Sequence, residues 1–233
     1  MRKRLIAYLL LTVLMLTGTA PAFTFAADKP KSAPVADLTL LLAPPPAQDS
    51  QQTQDEIKEL HHFQDTRTKD QEAYAQADVD KNIFRFQTVL GDKFTAENLP
   101  LTAAIFDRAL KAAKDTVDPA KNFFNRTRPF VADPTIKPSV TLDTAPSYPS
   151  GHATAGTVMA ILLADMVPEK KAEIFKRGWE YAQNRLVGGV HYRSDVEAGR
   201  ISGTVIVAML LKDKKFMVDF NAAKAELRTA LGY

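Results

Sequence analysis

Apolar residues recur along this chain at the spacing of helices and almost nowhere at the strict alternation of strands. Over 153–167 nearly every residue is apolar or small, with no polar face, which predicts a helix buried on all sides. Downstream, 171–186 reads as an amphipathic helix and 195–211 as another, whose Gly199 and Gly203 let a neighbour approach closely. A last amphipathic helix is expected over 221–231. Upstream, Pro100 stands where a helix start wants it, ahead of 101–117 with Ile105, Ala109, Ala112 and Ala113. The spacing of Val79, Ile83, Phe86 and Leu90 predicts a helix over 70–90, capped by Gly91. Ser50 suits the N-cap of a polar helix carrying Ile57, Leu60 and Phe63. Between 129 and 149 a long loop is punctuated by Pro134, Pro138 and Pro146, and loops of that length in compact domains tend to carry function. Residues 27–49 hold Pro30, Pro34 and the triplet Pro44-Pro45-Pro46, an extended arm whose leucines can pack on the domain. The expected fold is all-α: a single-domain helical bundle over 50–233 with a buried central helix and a proline-rich N-terminal arm.

The first 26 residues change how the charge is read. Arg2, Lys3 and Arg4 precede an apolar run over 5–16, and small residues follow at Ala20-Pro21-Ala22 and Thr24-Phe25-Ala26. This is the layout of a cleaved secretory signal peptide, and the run is short for a membrane span. The whole chain carries 30 basic and 27 acidic side chains. Cleavage near Ala26 takes away three basic groups and no acidic one, leaving 27 of each. The mature chain therefore has no basic excess to favour nucleic acid, and no further run reaches membrane-spanning length. Periplasmic or secreted localisation is expected. With 45% hydrophobic residues and no cysteine, disorder, a disulfide scaffold, thiolate metal sites and thiol nucleophiles are all excluded.

Three segments carry candidate chemistry. Lys121 and Arg128 stand seven apart just before the long loop. Ser150, Gly151 and His152 open the buried helix, where unpaired backbone N–H groups and the positive dipole end favour an anion. Gly151 has no Cβ to hold a ligand away from the backbone. Arg185 precedes His191 by six, and Asp195 lies four beyond His191, so the imidazole and carboxylate can meet on one helical face. A carboxylate accepting Nδ1–H would leave Nε2 free to attack. Three cations, a helix tip, a nucleophile with its orienting acid and a second histidine make the inventory for phosphoryl transfer through histidine.

The pattern Lys-x6-Arg-Pro, Pro-Ser-Gly-His, Arg-x5-His-x3-Asp resembles the signature of the type-2 phosphatidic acid phosphatase and vanadium haloperoxidase superfamily. The Leu41-Leu42-Ala43-Pro44-Pro45-Pro46 arm, Ser147-Tyr148-Pro149-Ser150-Gly151-His152-Ala153 and His191-Tyr192-Arg193-Ser194-Asp195 are similar to class A bacterial non-specific acid phosphatases, over roughly 38–211. The resemblance implies an all-α fold and a phosphohistidine intermediate, with no metal or other cofactor. It implies His191 as nucleophile, Asp195 as its partner and His152 as the acid for the leaving alcohol. Lys121, Arg128, Ser150, Gly151 and Arg185 would bind phosphate. Substrates would be small phosphate monoesters such as nucleotides, sugar phosphates and aryl phosphates, while homo-oligomer formation stays open. The superfamily has Ser where this chain has Asn184, so contact of that position with phosphate is in question. A vanadium haloperoxidase using the same oxyanion cage, a membrane lipid phosphatase and a non-catalytic phosphate binder are the alternatives. Bromide oxidation after vanadate loading would favour the first, and tight phosphate binding without turnover the last. His61 and His62 read as solvated histidines, Phe123, Phe124 and Trp179 as core, and Tyr148 and Tyr192 as flanking the candidate site.

Overall fold

A computed structural model describes residues 33–233; the expected signal peptide and residues 27–32 of the arm lie outside them. Among the described residues every regular element is helical: α1 (Leu38–Leu41), α2 (Gln51–Thr66), α3 (Lys69–Ala77), a 3₁₀ turn (Ile83–Phe86), α4 (Gln87–Leu90), α5 (Pro100–Phe124), α6 (Pro129–Ala132), α7 (Gly151–Met166), a second 3₁₀ turn (Pro168–Lys170), α8 (Lys171–Val187), α9 (Arg193–Leu210) and α10 (Lys214–Leu231). None of these helices is long and apolar enough to cross a membrane.

Helix α7 occupies the centre because it has no polar face to present to water, only Asp165 in its last turn being exposed. Val158, Met159, Leu162 and Leu163 are buried, and α8, α9 and α5 pack around them. Close approach needs small residues at the crossings. A Cβ on Gly199 of α9 would stand 2.5 Å from the Ser150 carbonyl oxygen and 2.8 Å from the Ala153 Cβ. One on Gly203 would stand 2.7 Å from the Thr157 Cβ. Gly178 of α8 lies equally tight on Ala160 of α7. Gly199→Ala is therefore expected to force α9 off the N-terminus of α7 at a cost of about 1–3 kcal/mol. The lower melting temperature would be read by circular dichroism, a fall of roughly 3–10 °C for a domain of this size.

Several elements differ from expectation. The helix expected over 70–90 is broken after Ala77, because the Asp78 carboxylate turns into the protein to meet Arg177 and Arg85. The chain resumes as a 3₁₀ turn whose first donor, Phe84 N–H, is satisfied by the Asn82 side chain. Gly91 ends α4 at φ +87, a conformation that glycine adopts without strain. Helix α5 does not stop at Val117 but runs through Pro119 to Phe124. Ala120 and Lys121 beyond the proline are buried, and tertiary contact outweighs the hydrogen bond that Pro119 cannot make. It ends where Asn125 takes a left-handed conformation, φ +44. Helix α10 starts seven residues earlier than expected, where Asp213 caps Lys215 and Phe216 N–H. The arm contains one helical turn, α1, capped by Asp37. Its Leu38 and Leu42 enter the main core and the Ala43 carbonyl accepts the Tyr148 hydroxyl at 2.7 Å, whereas Leu40 and Leu41 face outward.

Candidate active site

The candidate nucleophile sits on the turn that joins α8 to α9. Gly188 and Gly189 end α8, Gly189 at φ +70, and His191 follows before α9 begins at Arg193. Asp195, in the first turn of α9, is fully buried yet meets four donors. Its Oδ2 accepts from His191 Nδ1 at 3.2 Å, Tyr192 N–H at 2.9 Å and the Ser147 hydroxyl at 2.5 Å. Its Oδ1 accepts from Arg126 Nη1 at 2.7 Å. Burial opposes the carboxylate charge, but the His191 bond, the Arg126 charge and the Ser147 bond overcome it and hold the group at about 2. Burial, the adjacent Arg128 and Lys121 pull His191 down to about 3 despite its bond to Asp195, so the ring is neutral. Asp195 holds Nδ1–H, and Nε2 keeps its lone pair, here 3.0 Å from the Arg128 Nη1 that donates to it.

The cations converge from three elements. Lys121 lies in the last turn of α5, its ammonium donating to the Pro146 and Ser147 carbonyls at 2.5 and 3.3 Å. Burial first, then Arg128, lower it to about 7. Arg128 precedes α6 and donates to the Ala145 and Val190 carbonyls at 2.8 and 2.9 Å, with Asp143 3.3 Å from its Nη2. Arg185 in α8 is 2% exposed, and its Nε and Nη1 have no hydrogen-bond partner among the described residues. Burial lowers it to about 10, which leaves it charged. A cleft of roughly 240 Å³ exposes Lys81, Lys121, Arg128, Gly151, His152 and His191 together. Arg185 and Ser150 are not among the residues that line it.

The tip of α7 closes the arrangement. Ser150 is its N-cap, the hydroxyl oxygen accepting Ala153 N–H, and the Ser150 N–H donates to the Asp195 carbonyl at 2.9 Å, tying the starts of α7 and α9 together. A Cβ on Gly151 would come 3.7 Å from the Lys81 Nζ and 3.8 Å from the Lys121 Cε, so it would fill space between two lysine side chains. His152 Nε2–H donates to the Val79 carbonyl at 2.9 Å. Burial, Arg185 and Lys81 push this ring well below the usual histidine range.

The residues singled out from sequence thus come together: His191 with Asp195, and both histidines on one cleft with Lys121, Arg128 and Gly151. Asn184 does not line it; its amide donates to Asp78 at 2.7 Å. Tyr148 and Tyr192 are buried away from it. Sequence reasoning missed Lys81, Ser147 and Arg126, whose guanidinium also pairs with Glu56 at 3.1 Å and stacks on the Tyr192 ring at 3.9 Å. Only Arg126 left a signal, an arginine two residues before Arg128 at the end of a helix. His61 is not merely solvated, since it pairs with Asp133 at 2.9 Å. Phe123 and Trp179 are exposed instead of core, while Phe124 packs edge-on against Tyr148.

Residues 101–216 match the model of the PAP2 superfamily. The chain is 33% identical over 202 residues to an acid phosphatase of Zymomonas mobilis subsp. mobilis, covering 83% of this chain and 76% of that protein. It is 37% identical over 163 residues to a non-specific acid phosphatase of Salmonella typhimurium, covering 67% of this chain and 65% of that one. Among solved structures, a bacterial vanadium-dependent iodoperoxidase superposes with a TM-score of 0.56 at 20% identity, over 72% of this chain and 51% of that one, a likeness of fold.

Proposed function

This chain belongs to the PAP2 superfamily as a bacterial acid phosphatase, a phosphoric monoester hydrolase, and we propose that it is exported and works by double displacement through a phosphohistidine at His191. The observation that carries this reading is the His191 ring: buried, neutral, held at Nδ1 by Asp195, with Nε2 turned to a cleft that His152 also lines.

The chemistry follows from those positions. The phosphoryl oxygens take over the Arg128 N–H now given to Nε2, and find the charges of Lys121 and Arg185 and the Gly151 amide at the positive end of α7. The Nε2 lone pair forms the N–P bond as the P–O bond to the leaving group breaks. His152 gives its proton to that oxygen, and then takes one from the water that hydrolyses the phosphohistidine. Arg185 and Lys81 oppose a proton on His152, and the bound phosphate dianion offsets them, so rising pH removes this proton first and activity falls on the alkaline side. Three protein cations supply the charge stabilisation, so the reaction needs no metal. The directional groups address phosphate, while the rest of the lining mixes apolar Leu110, Ala113, Val117 and Ala155 with charged Lys114, Asp118 and Asp143. Binding energy spent on the phosphate rather than the leaving group makes for broad specificity toward small phosphate monoesters.

Rapid quenching into alkaline denaturant with phosphorus-labelled substrate, run with and without EDTA, tests the reading. The expected product is an acid-labile phosphopeptide containing His191, in the same yield with and without chelator. Turnover without trapped label on that peptide, or a yield restored by added metal, would overturn it.

A further inference from the structure

Behind the cleft, three consecutive residues after α3 are each held from α7 or α8. The Asp78 carboxylate is fully buried; Arg177 donates to both its oxygens at 2.6 and 3.0 Å, Asn184 to Oδ2 at 2.7 Å and Arg85 to Oδ1 at 3.0 Å. The next carbonyl, of Val79, accepts His152 Nε2–H. The one after it, of Asp80, accepts the Tyr181 hydroxyl at 2.6 Å. Arg177, Tyr181 and Asn184 share one face of α8 by their spacing, and the Tyr181 ring lies against the His152 ring, centroids 6.4 Å apart at 27°.

Neither Asp78 nor Arg177 lines the cleft. A buried ion pair is a weak source of stability, because desolvating both charges offsets most of their attraction. What this one does is immobilise backbone: a carbonyl can orient an imidazole only if its own peptide cannot turn. We propose that Asp78 is a positioning residue for proton transfer, clamped by α8 so that the Val79 carbonyl fixes the His152 ring with Nε2–H committed and Nδ1 left to hold the transferable proton. The inference rests on the reading of His152 as the general acid. Asn184, the departure from the superfamily pattern, is one of the clamp's donors.

The readout is dependence on the leaving group. p-Nitrophenolate departs readily as an anion, whereas an alkoxide needs its proton, so loss of a positioned acid falls selectively on alkyl phosphates. Asp78→Asn keeps the shape of the clamp and removes its charge, and Tyr181→Phe removes only the bond to the Asp80 carbonyl. Asp78→Asn is expected to lower kcat/KM, which ends at phosphorylation, about 10- to 100-fold for glycerol 2-phosphate and less than about 3-fold for p-nitrophenyl phosphate, within the range that general acids supply. Tyr181→Phe should shift the ratio of the two rates in the same direction, roughly 3-fold. His152→Ala, measured in parallel, sets the full scale. If His152→Ala loses both substrates equally, the acid assignment itself fails. If His152→Ala discriminates between them while Asp78→Asn and Tyr181→Phe lower both in proportion or neither, Asp78 is only structural and the inference is overturned. Should Asp78→Asn fail to fold by circular dichroism, an unchanged ratio in Tyr181→Phe overturns it alone.

Discussion

His191→Ala is expected to lower kcat for p-nitrophenyl phosphate on the order of 10⁴-fold or more, the scale lost when the nucleophile of a cooperating set is removed. The loss should be chemical rather than structural. Asp195 keeps its bonds from Ser147, Tyr192 N–H and Arg126 when the imidazole is gone, so the start of α9 stays tied to the loop before α7. Circular dichroism should therefore show an intact helical protein. Inorganic phosphate should still raise its melting temperature, since Lys121, Arg128 and Arg185 remain. A near-wild-type rate in this variant would remove His191 as the nucleophile, and a protein that no longer folds would show the ring to be structural.

How much of this was legible beforehand depended on whether the cause of a feature is local. The burial of α7 was legible because a helix without a polar face has only one place to go, and Gly199 and Gly203 announced its crossing with α9. The break after Ala77 was not. Val79, Ile83, Phe86 and Leu90 satisfy helical spacing, and the cause of the break, the pull of Arg177 on Asp78, comes from a residue 99 positions away. Pro119 works in the opposite sense: the local rule for proline says stop, while the burial of Ala120 and Lys121 carries α5 onward.

The same division runs through the site. His191 and Asp195 are neighbours on one turn, and Ser150 to His152 form a helix tip, so spacing alone could pair or place them. In one dimension Arg126 is marked only by standing two residues before Arg128, and Lys81 looks like any surface cation. Their roles come from the buried carboxylates of Asp195 and Glu56 in one case and from the cleft mouth beside Gly151 in the other. Aromatic side chains carry no such marker, which is why Phe123 and Trp179 read as core in the sequence yet stand exposed in the fold.

Arg185 sets the second large expectation, because stability and activity should move in opposite directions. Its Nε and Nη1 are buried without partners among the described residues, so the ligand-free protein bears a desolvated charge outside any hydrogen-bonded ion pair. Arg185→Met keeps the bulk and removes that charge. The free protein is expected to gain about 1–3 kcal/mol, seen as a melting temperature higher by several degrees. Catalysis should suffer, because the same charge is what the phosphate needs: kcat/KM is expected to fall about 10²- to 10³-fold. Inorganic phosphate at about 100 times its dissociation constant stabilises a protein by roughly 2.7 kcal/mol, and this increment should nearly vanish in the variant. The His152 ring, freed of the largest charge that opposes its proton, should hold that proton to higher pH and carry the alkaline limb of the profile with it. A variant that melts lower than wild type and still gains full stability from phosphate would place the Arg185 charge outside the phosphate site, and with it the argument that an unpartnered guanidinium is held ready for an anion.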